Sequence, residues 1–249
     1  MTNENTRIGE KFITNEGYEI IVIEYNGREN VVIEFQDEYK TKKKVCYSQC
    51  KSGSIKNPYH PSILGIGCLG LMSDGSRPKT KENGKITREY NVWKGMLQRC
   101  YDGKERHKTY KNCTVAEEWH CYATFLQDLP SIEGYELWFN NPNQHISLDK
   151  DIKQQDVENK IYSLETVCFV TNEENVKEMI DRCGHPSDIQ GIKVYGVNIK
   201  TGEKTKIFNS MNEAERELGI NNVCIGRCVN GKIKKTHGYR WYKVEENLD

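Results

Sequence analysis

The sequence has no long apolar run. Hydrophobic residues make up 36% of it, and nowhere do they approach the roughly 18 to 20 in succession that a membrane-spanning helix needs. A soluble protein with no membrane partner is therefore expected. The opening MTNENTRIGE has neither a basic stretch nor an apolar one, so no secretion signal is read there and a cytoplasmic setting is expected. A tight Cys-x-x-Cys pair is also missing, although the chain has ten cysteines. In a reducing compartment such thiols are expected as small buried hydrophobes. Cys100, Cys113 and Cys121, with His107 and His120 nearby, lack that pairing. Cys100 and Cys121 also fit helical apolar faces, so zinc is not the expected reading.

An excess of charge of one sign is missing too, since 36 Lys and Arg balance 36 Asp and Glu. The balance conceals a segregation. From Gln190 to Lys243 there are eleven Lys and Arg against four Glu, a surplus of +7, so the rest of the chain carries the compensating −7. A basic tail on an otherwise acidic chain points to a polyanion, most simply double-stranded DNA.

What is present divides the 249 residues into pieces. From Ile8 to about Leu71, YEIIVIEY and ENVVIEF are rich in β-branched and aromatic residues and flank Asn26-Gly27, a hairpin signal. The Pro- and Gly-rich stretch that follows suits a chain turning around a small SH3-like barrel, with Lys40, Lys42, Lys43 and Lys44 on its surface. Residues 73–87 are dense in breakers and charge and read as a linker. In EYNVWKGMLQRCYDG the apolar residues recur at helical spacing, and Asp102-Gly103 ends the helix. Thr114-Val115-Ala116-Glu117 reads as a capping box opening a second helix. From Gln144 to Asp181 the pattern is strand, loop, short strand, helix, the helix capped by Thr171 or Asn172.

A second linker, 183–190, precedes the last piece. There IKVYGVNI and EKTKIF read as a hairpin around Lys200-Thr201-Gly202. Ser210 caps MNEAEREL, which Gly219 stops, and Asn221 caps NVCIGRCVN before a returning strand, GYRWYKV. Two short helices around a glycine turn form a helix-turn-helix pattern. The expected DNA contacts are Asn221 and Asn222 at the start of its second helix, Arg227 on it, and Lys232, Lys234 and Lys235 just beyond. Cys224 and Cys228 share a face of that helix and read as core.

This C-terminal stretch, with FNSMNEAERELGI and the closing GYRWY, resembles the DNA-binding repeat of intron-encoded and phage homing endonucleases. The segment before it is similar to an HNH ββα-metal unit through Leu148-Asp149 and through FVTNEEN at 169–175. WKGMLQRC, LDKDI and YSLETVCFV are also similar to a class of phage HNH-like proteins. Together with the small β domain read at 1–72, the resemblance implies an α+β, multidomain chain with an HNH-like α+β domain at 88–182 and a helix-turn-helix module at 191–249, at work in the cytoplasm of a host cell. It further implies a divalent cation such as Mg2+ on Asp149 and Asn175, and it places Lys150 where the family has its general-base His.

A lysine with an ordinary pKa near 10.4 is protonated at neutral pH and accepts no proton. His145 shares the strand face of Asp149 but lies about 13 Å away along it. Lys150 therefore pairs either with a DNA phosphate or with Asp149 or Asp151. The expectation that follows is a DNA-binding protein with weak or lost nuclease activity. The alternatives are an active metal-dependent endonuclease and a phage effector that binds a host protein or a nucleotide, the protein through its N-terminal domain.

Overall fold

The structure is a computed structural model that describes residues 7–155 and 157–244, with the backbone alone at 183, 186 and 187. It forms two units, residues 1–170 and 171–249. Among the described residues no helix is long and apolar enough to cross a membrane.

The first unit begins with an antiparallel meander of β1 (Lys11–Ile13), β2 (Glu19–Tyr25), β3 (Val31–Phe35) and β4 (Lys42–Val45), hydrogen-bonded in that order. Alternation decides its register. Ile20 and Val22 on β2 and Val31, Ile33 and Phe35 on β3 are all fully buried, whereas the residues between them face outward. Gly27 supplies the positive φ at the expected β2–β3 turn. No pairing joins β1 to β4 among the described residues. Helix α1 (Tyr47–Ser52), stopped by Gly53 with φ +66°, adds Tyr47 and Cys50 to this core.

The segment read as a linker carries a small hairpin, β5 (Lys81–Glu82) and β6 (Lys85–Ile86). Asn83 and Gly84 both have positive φ, as a type I′ turn requires. Thr87 then caps α2 (Arg88–Tyr101), its hydroxyl accepting the Tyr90 N–H at 3.3 Å. Its inner face buries Trp93, Met96 and Leu97.

The expected capping box at Thr114 is not formed. Thr114–Val115 is instead a strand, β7, paired in parallel with residues 161–162. The N–H groups of Thr114 and Ala116 go to the carbonyls of Lys160 and Tyr162, so the backbone there is committed to a ladder. A 3-10 turn over Glu117–His120 intervenes, and the helix α3 (Tyr122–Asp128) starts only after it. Next come α4 (Tyr135–Asn140), β8 (Ile146–Asp149), β9 (Ile161–Tyr162), the partner of β7, and β10 (Cys168–Thr171), the partner of β8. These elements enclose a second core around Trp93, Trp119, Phe125, Trp138 and Phe169. Both buried indoles that line its centre are satisfied: Trp93 Nε1 donates to the Trp119 carbonyl at 2.7 Å and Trp119 Nε1 to Asp128 at 2.8 Å.

In the second unit Thr171 and Glu174 form a capping box at α5 (Asn172–Cys183), which is followed by α6 (Pro186–Ile189). Strand β11 (Val194–Asn198) pairs with β12 (Tyr239–Lys243), after α7 (Met211–Leu218) and α8 (Asn222–Val229). The expected hairpin partner, EKTKIF, does hydrogen-bond to β11, from Phe208 at one end to Glu203 at the other, but as isolated bridges and not a continuous strand. The Thr205 hydroxyl takes the Gly196 N–H at 2.9 Å, a side chain replacing a backbone acceptor and interrupting the ladder. Ser210, Gly219 and Asn221 act as the expected helix punctuation. The core of this unit is Val194, Phe208, Ala214, Ile220, Ile225 and Trp241, with Cys228 beside them.

Gly134, at φ +79°, precedes α4, and a Cβ there would overlap the Phe169 carbonyl oxygen. Gly134→Ala is expected to lower unfolding stability by about 2–4 kcal/mol, read from the urea midpoint. Gly103→Ala, at φ +64° with nothing within 4 Å of its Cβ, is expected to cost only ~1 kcal/mol.

Candidate functional site

The end of β8 turns on Asp149. Its carboxylate is buried, and Oδ1 accepts the N–H groups of Asp151 at 2.7 Å and Ile152 at 2.9 Å. That local closure fixes the direction of Lys150. Lys150 is 6% exposed, and its Nζ donates to both carboxylate oxygens of Asp151 at 2.9 Å. It also lies 4.7 Å from the centre of the Tyr110 ring, within cation–π range. Lys160 reaches the same carboxylate at 2.5 Å.

Burial by itself would push the Asp151 carboxyl up. The hydrogen bonds and charges of Lys160 and Lys150 outweigh it and hold the group below the usual carboxylate range. Gln154 secures the turn from beneath, its Nε2 donating to the carbonyls of Lys150 and Ile161 at 2.9 Å and its Oε1 accepting the Ile161 N–H at 2.9 Å. Arg99 completes the surroundings: it donates to the Tyr162 hydroxyl at 3.2 Å and lies 5.8 Å from the Tyr110 ring centre.

Chemically, this arrangement is one carboxylate shared by two ammonium groups beside an aromatic ring. Of the pairings expected for Lys150, the structure forms the one with Asp151. Tyr110, Gln154 and Lys160 were missed by sequence reasoning. Only Gln154, four residues after Lys150, lies within reach of a local pattern, while the other two arrive through the 3-10 turn over Glu105–Tyr110 and the start of β9.

The histidines do not gather here. His145 is exposed and lines an open pocket of about 330 Å³ with Arg88, Asn91 and Gln144. His120 approaches the Tyr101 hydroxyl at 3.5 Å, and His107 pairs with Asp102 at 2.8 Å. Among the described residues no three His, Cys, Asp or Glu are grouped to hold a metal ion. Cys100 and Cys113 are instead thiols whose pKa burial pushes up, Cys100 to about 12. Asn175 is half-buried on α5, in the second unit, whereas Asp149 belongs to the first.

On α8, Ile225 and Cys228 face the core, leaving Val223 and Arg227 exposed on the other side. Asn221 is committed to capping, accepting the Val223 N–H at 3.0 Å, and Asn222 donates to the side chain of Asn212. Beyond the helix the chain turns with Gly231 at φ +71°, and Lys232, Lys234 and Lys235 are exposed. Among the described residues no ion pair engages these lysines or Arg227. The cations near α7 differ: Arg216 pairs with Asp188, and Lys206 with Glu217 at 2.6 Å. The module is thus neutralised on the α7 side and positive along α8 and its exit. Arg240 and Lys243 on β12 are also exposed and were not singled out from the sequence.

Residues 195–241 match a family model described as DNA endonuclease I-HmuI-like, NUMOD-like domain. The resemblance read from the C-terminal sequence therefore holds for that module. Over 97 residues the chain is 35% identical to an uncharacterized HNH endonuclease of Acanthamoeba polyphaga mimivirus, a match taking in 39% of this chain and only 22% of that protein. A solved structure described as DNA binding and cleavage by the HNH homing endonuclease I-HmuI is 19% identical, with a TM-score of 0.22, over 41% of this chain and 60% of that one.

The low carboxyl pKa of Asp151 gives a pH test. A group with a depressed folded pKa contributes stability above its unfolded pKa and loses it as pH falls through the folded value. The stability gap between wild type and Asp151→Asn is therefore expected to be constant above about pH 5 and to close as pH falls below the ordinary carboxylate value of 3.8. Urea unfolding at a series of pH values measures it.

Proposed function

We propose that this chain is a DNA-binding protein on an HNH-like scaffold whose nuclease strand lacks its proton acceptor. The observation that carries this reading is Lys150. Where the HNH resemblance expects a general-base His, a buried ammonium is held by Asp151 against Tyr110. A protonated amine so paired takes no proton from an attacking water. DNA is engaged by the C-terminal module acting as a helix-turn-helix, with α8 as the reading helix. Arg227 contacts bases or phosphates, and Lys232, Lys234 and Lys235 contact phosphates. Asn221 and Asn222 serve this surface by fixing the start of α8.

The domain layout in this reading is a small SH3-like domain at 1–72, the HNH-like domain at 88–182 and the DNA-binding module at 191–249. Three separate hydrophobic cores support a three-part layout, with Ile63 and Leu69 of the first part packing on the core of the second.

A second reading, an active divalent-metal endonuclease, is favoured by Asp149. Only its Oδ1 is taken up by backbone N–H groups, and no hydrogen bond engages Oδ2 among the described residues. A single free carboxylate oxygen suits Mg2+, which binds few protein oxygens and keeps water and phosphate ligands. Asp149 would hold the ion, which would supply stabilisation of charge on the cleaved phosphate.

Binding of the full chain to labelled duplexes, followed by fluorescence anisotropy, tests the proposal. Lys234→Ala is expected to weaken binding equally across duplex sequences and to make the salt slope shallower by about one unit. Arg227→Ala is expected to cost ~1–3 kcal/mol if it reads a base, with part of the loss confined to particular sequences. Duplex binding that is absent at low salt, or unaltered when Lys232, Lys234 and Lys235 are all replaced by Ala, would contradict the assignment.

A further inference from the structure

Cys68 and Cys121 lie far apart in sequence and meet across a lone parallel bridge. The Cys68 N–H donates to the His120 carbonyl at 2.9 Å, and the Tyr122 N–H donates to the Cys68 carbonyl at 2.9 Å. Paired residues of adjacent strands lie about 4.8 Å apart, inside the roughly 4.4–6.8 Å Cα window that a disulfide spans, and their side chains leave the same face. The two thiols are close enough to influence each other's ionisation, and the Cys121 thiol donates to the Leu69 carbonyl at 3.9 Å. Cys68 is buried, while Cys121 is partly open to solvent. Cys121 stands just before the first turn of α3 without a side-chain capping bond, and Gly70 leaves room for its sulfur, because a Cβ at Gly70 would overlap it.

We propose that Cys121 and Cys68 are a thiol–disulfide exchange pair, with Cys121 the attacking sulfur and Cys68 the resolving one, toward small disulfide oxidants such as oxidised glutathione. The Cys121 thiolate attacks one sulfur of the oxidant, forming a mixed disulfide and releasing one glutathione thiolate. Cys68 then attacks Cys121 Sγ, forming the Cys68–Cys121 bond and releasing the second glutathione. Two protein thiols are oxidised and one disulfide is reduced, and the two protons pass to the released thiolates.

The order follows from the surroundings. Cys121 is partly open to an oxidant while Cys68 is buried, and the influence of Cys68 outweighs burial and holds the Cys121 pKa below the ordinary thiol value. The neighbouring Cys121, and then burial, hold the proton on Cys68, so its pKa lies above the ordinary value. The resulting bond would staple the stretch carrying Ile63 and Leu69, which packs on the large core of the first unit, to the start of α3.

Peptide mapping by mass spectrometry under non-reducing conditions, after exposure of the full chain to oxidised glutathione, tests this. Wild type is expected to show Cys68 joined to Cys121 with two hydrogens lost. Cys68→Ser is expected to stop at a glutathione adduct on Cys121, and Cys121→Ser to give neither product. Free thiols at both positions, a bond from either to another cysteine, a wild-type adduct that Cys68 never resolves, or an adduct on Cys68 in Cys121→Ser would each overturn the pairing. If a serine variant does not fold, iodoacetamide competition on folded wild type decides. Cys121 is expected to be alkylated faster than Cys68 and than Cys100, and equal rates would overturn the assignment.

Discussion

A buried ammonium needs an opposite charge, and that requirement organises the region around Lys150. Left alone in the interior the charge would cost several kcal/mol. Asp151 answers it from the next position, Tyr110 from a 3-10 turn, and Lys160 joins from the start of β9. Gln154 then fixes the backbone that carries both lysine and carboxylate. Segments distant in sequence are thereby tied to the end of β8. Because the ammonium already has its partner, this position offers neither a proton acceptor nor a free cation to DNA. The chemistry expected of an HNH strand and the packing of this one are in direct competition, and packing has the residue.

The second unit shows how a neutral chain presents a positive surface. Its basic residues are sorted by partner: those around α7 are matched with carboxylates, while those along α8 and its exit are not. Unpaired exposed cations keep their counterions and release them on meeting phosphate, which is the electrostatic source of DNA affinity. The module that matches the NUMOD-like family model is also the module in which this sorting occurs.

Much of this was legible in the sequence where local rules govern. Helix α2 and its apolar face, the β2–β3 hairpin and the Ser210, Gly219 and Asn221 punctuation follow from periodicity and capping. What failed depended on distant partners. Thr114 has the spelling of a capping box, yet its N–H is taken by the Lys160 carbonyl. EKTKIF has the spelling of a hairpin arm and does pair with β11, on the edge opposite β12, but only through isolated bridges, because the Thr205 hydroxyl takes the Gly196 N–H. The anomaly at Lys150 could be read from the residue alone. The reason it is tolerated could not, since Tyr110 and Lys160 are placed beside it only by the fold.

The claim that the nuclease strand has no working base is tested most directly by incubating the full chain with supercoiled plasmid and Mg2+ or Mn2+, with Asp149→Ala as the control. The account predicts that plasmid is bound and retarded but stays uncut, and that wild type and control are indistinguishable. Metal-dependent nicking by wild type that Asp149→Ala abolishes would contradict it.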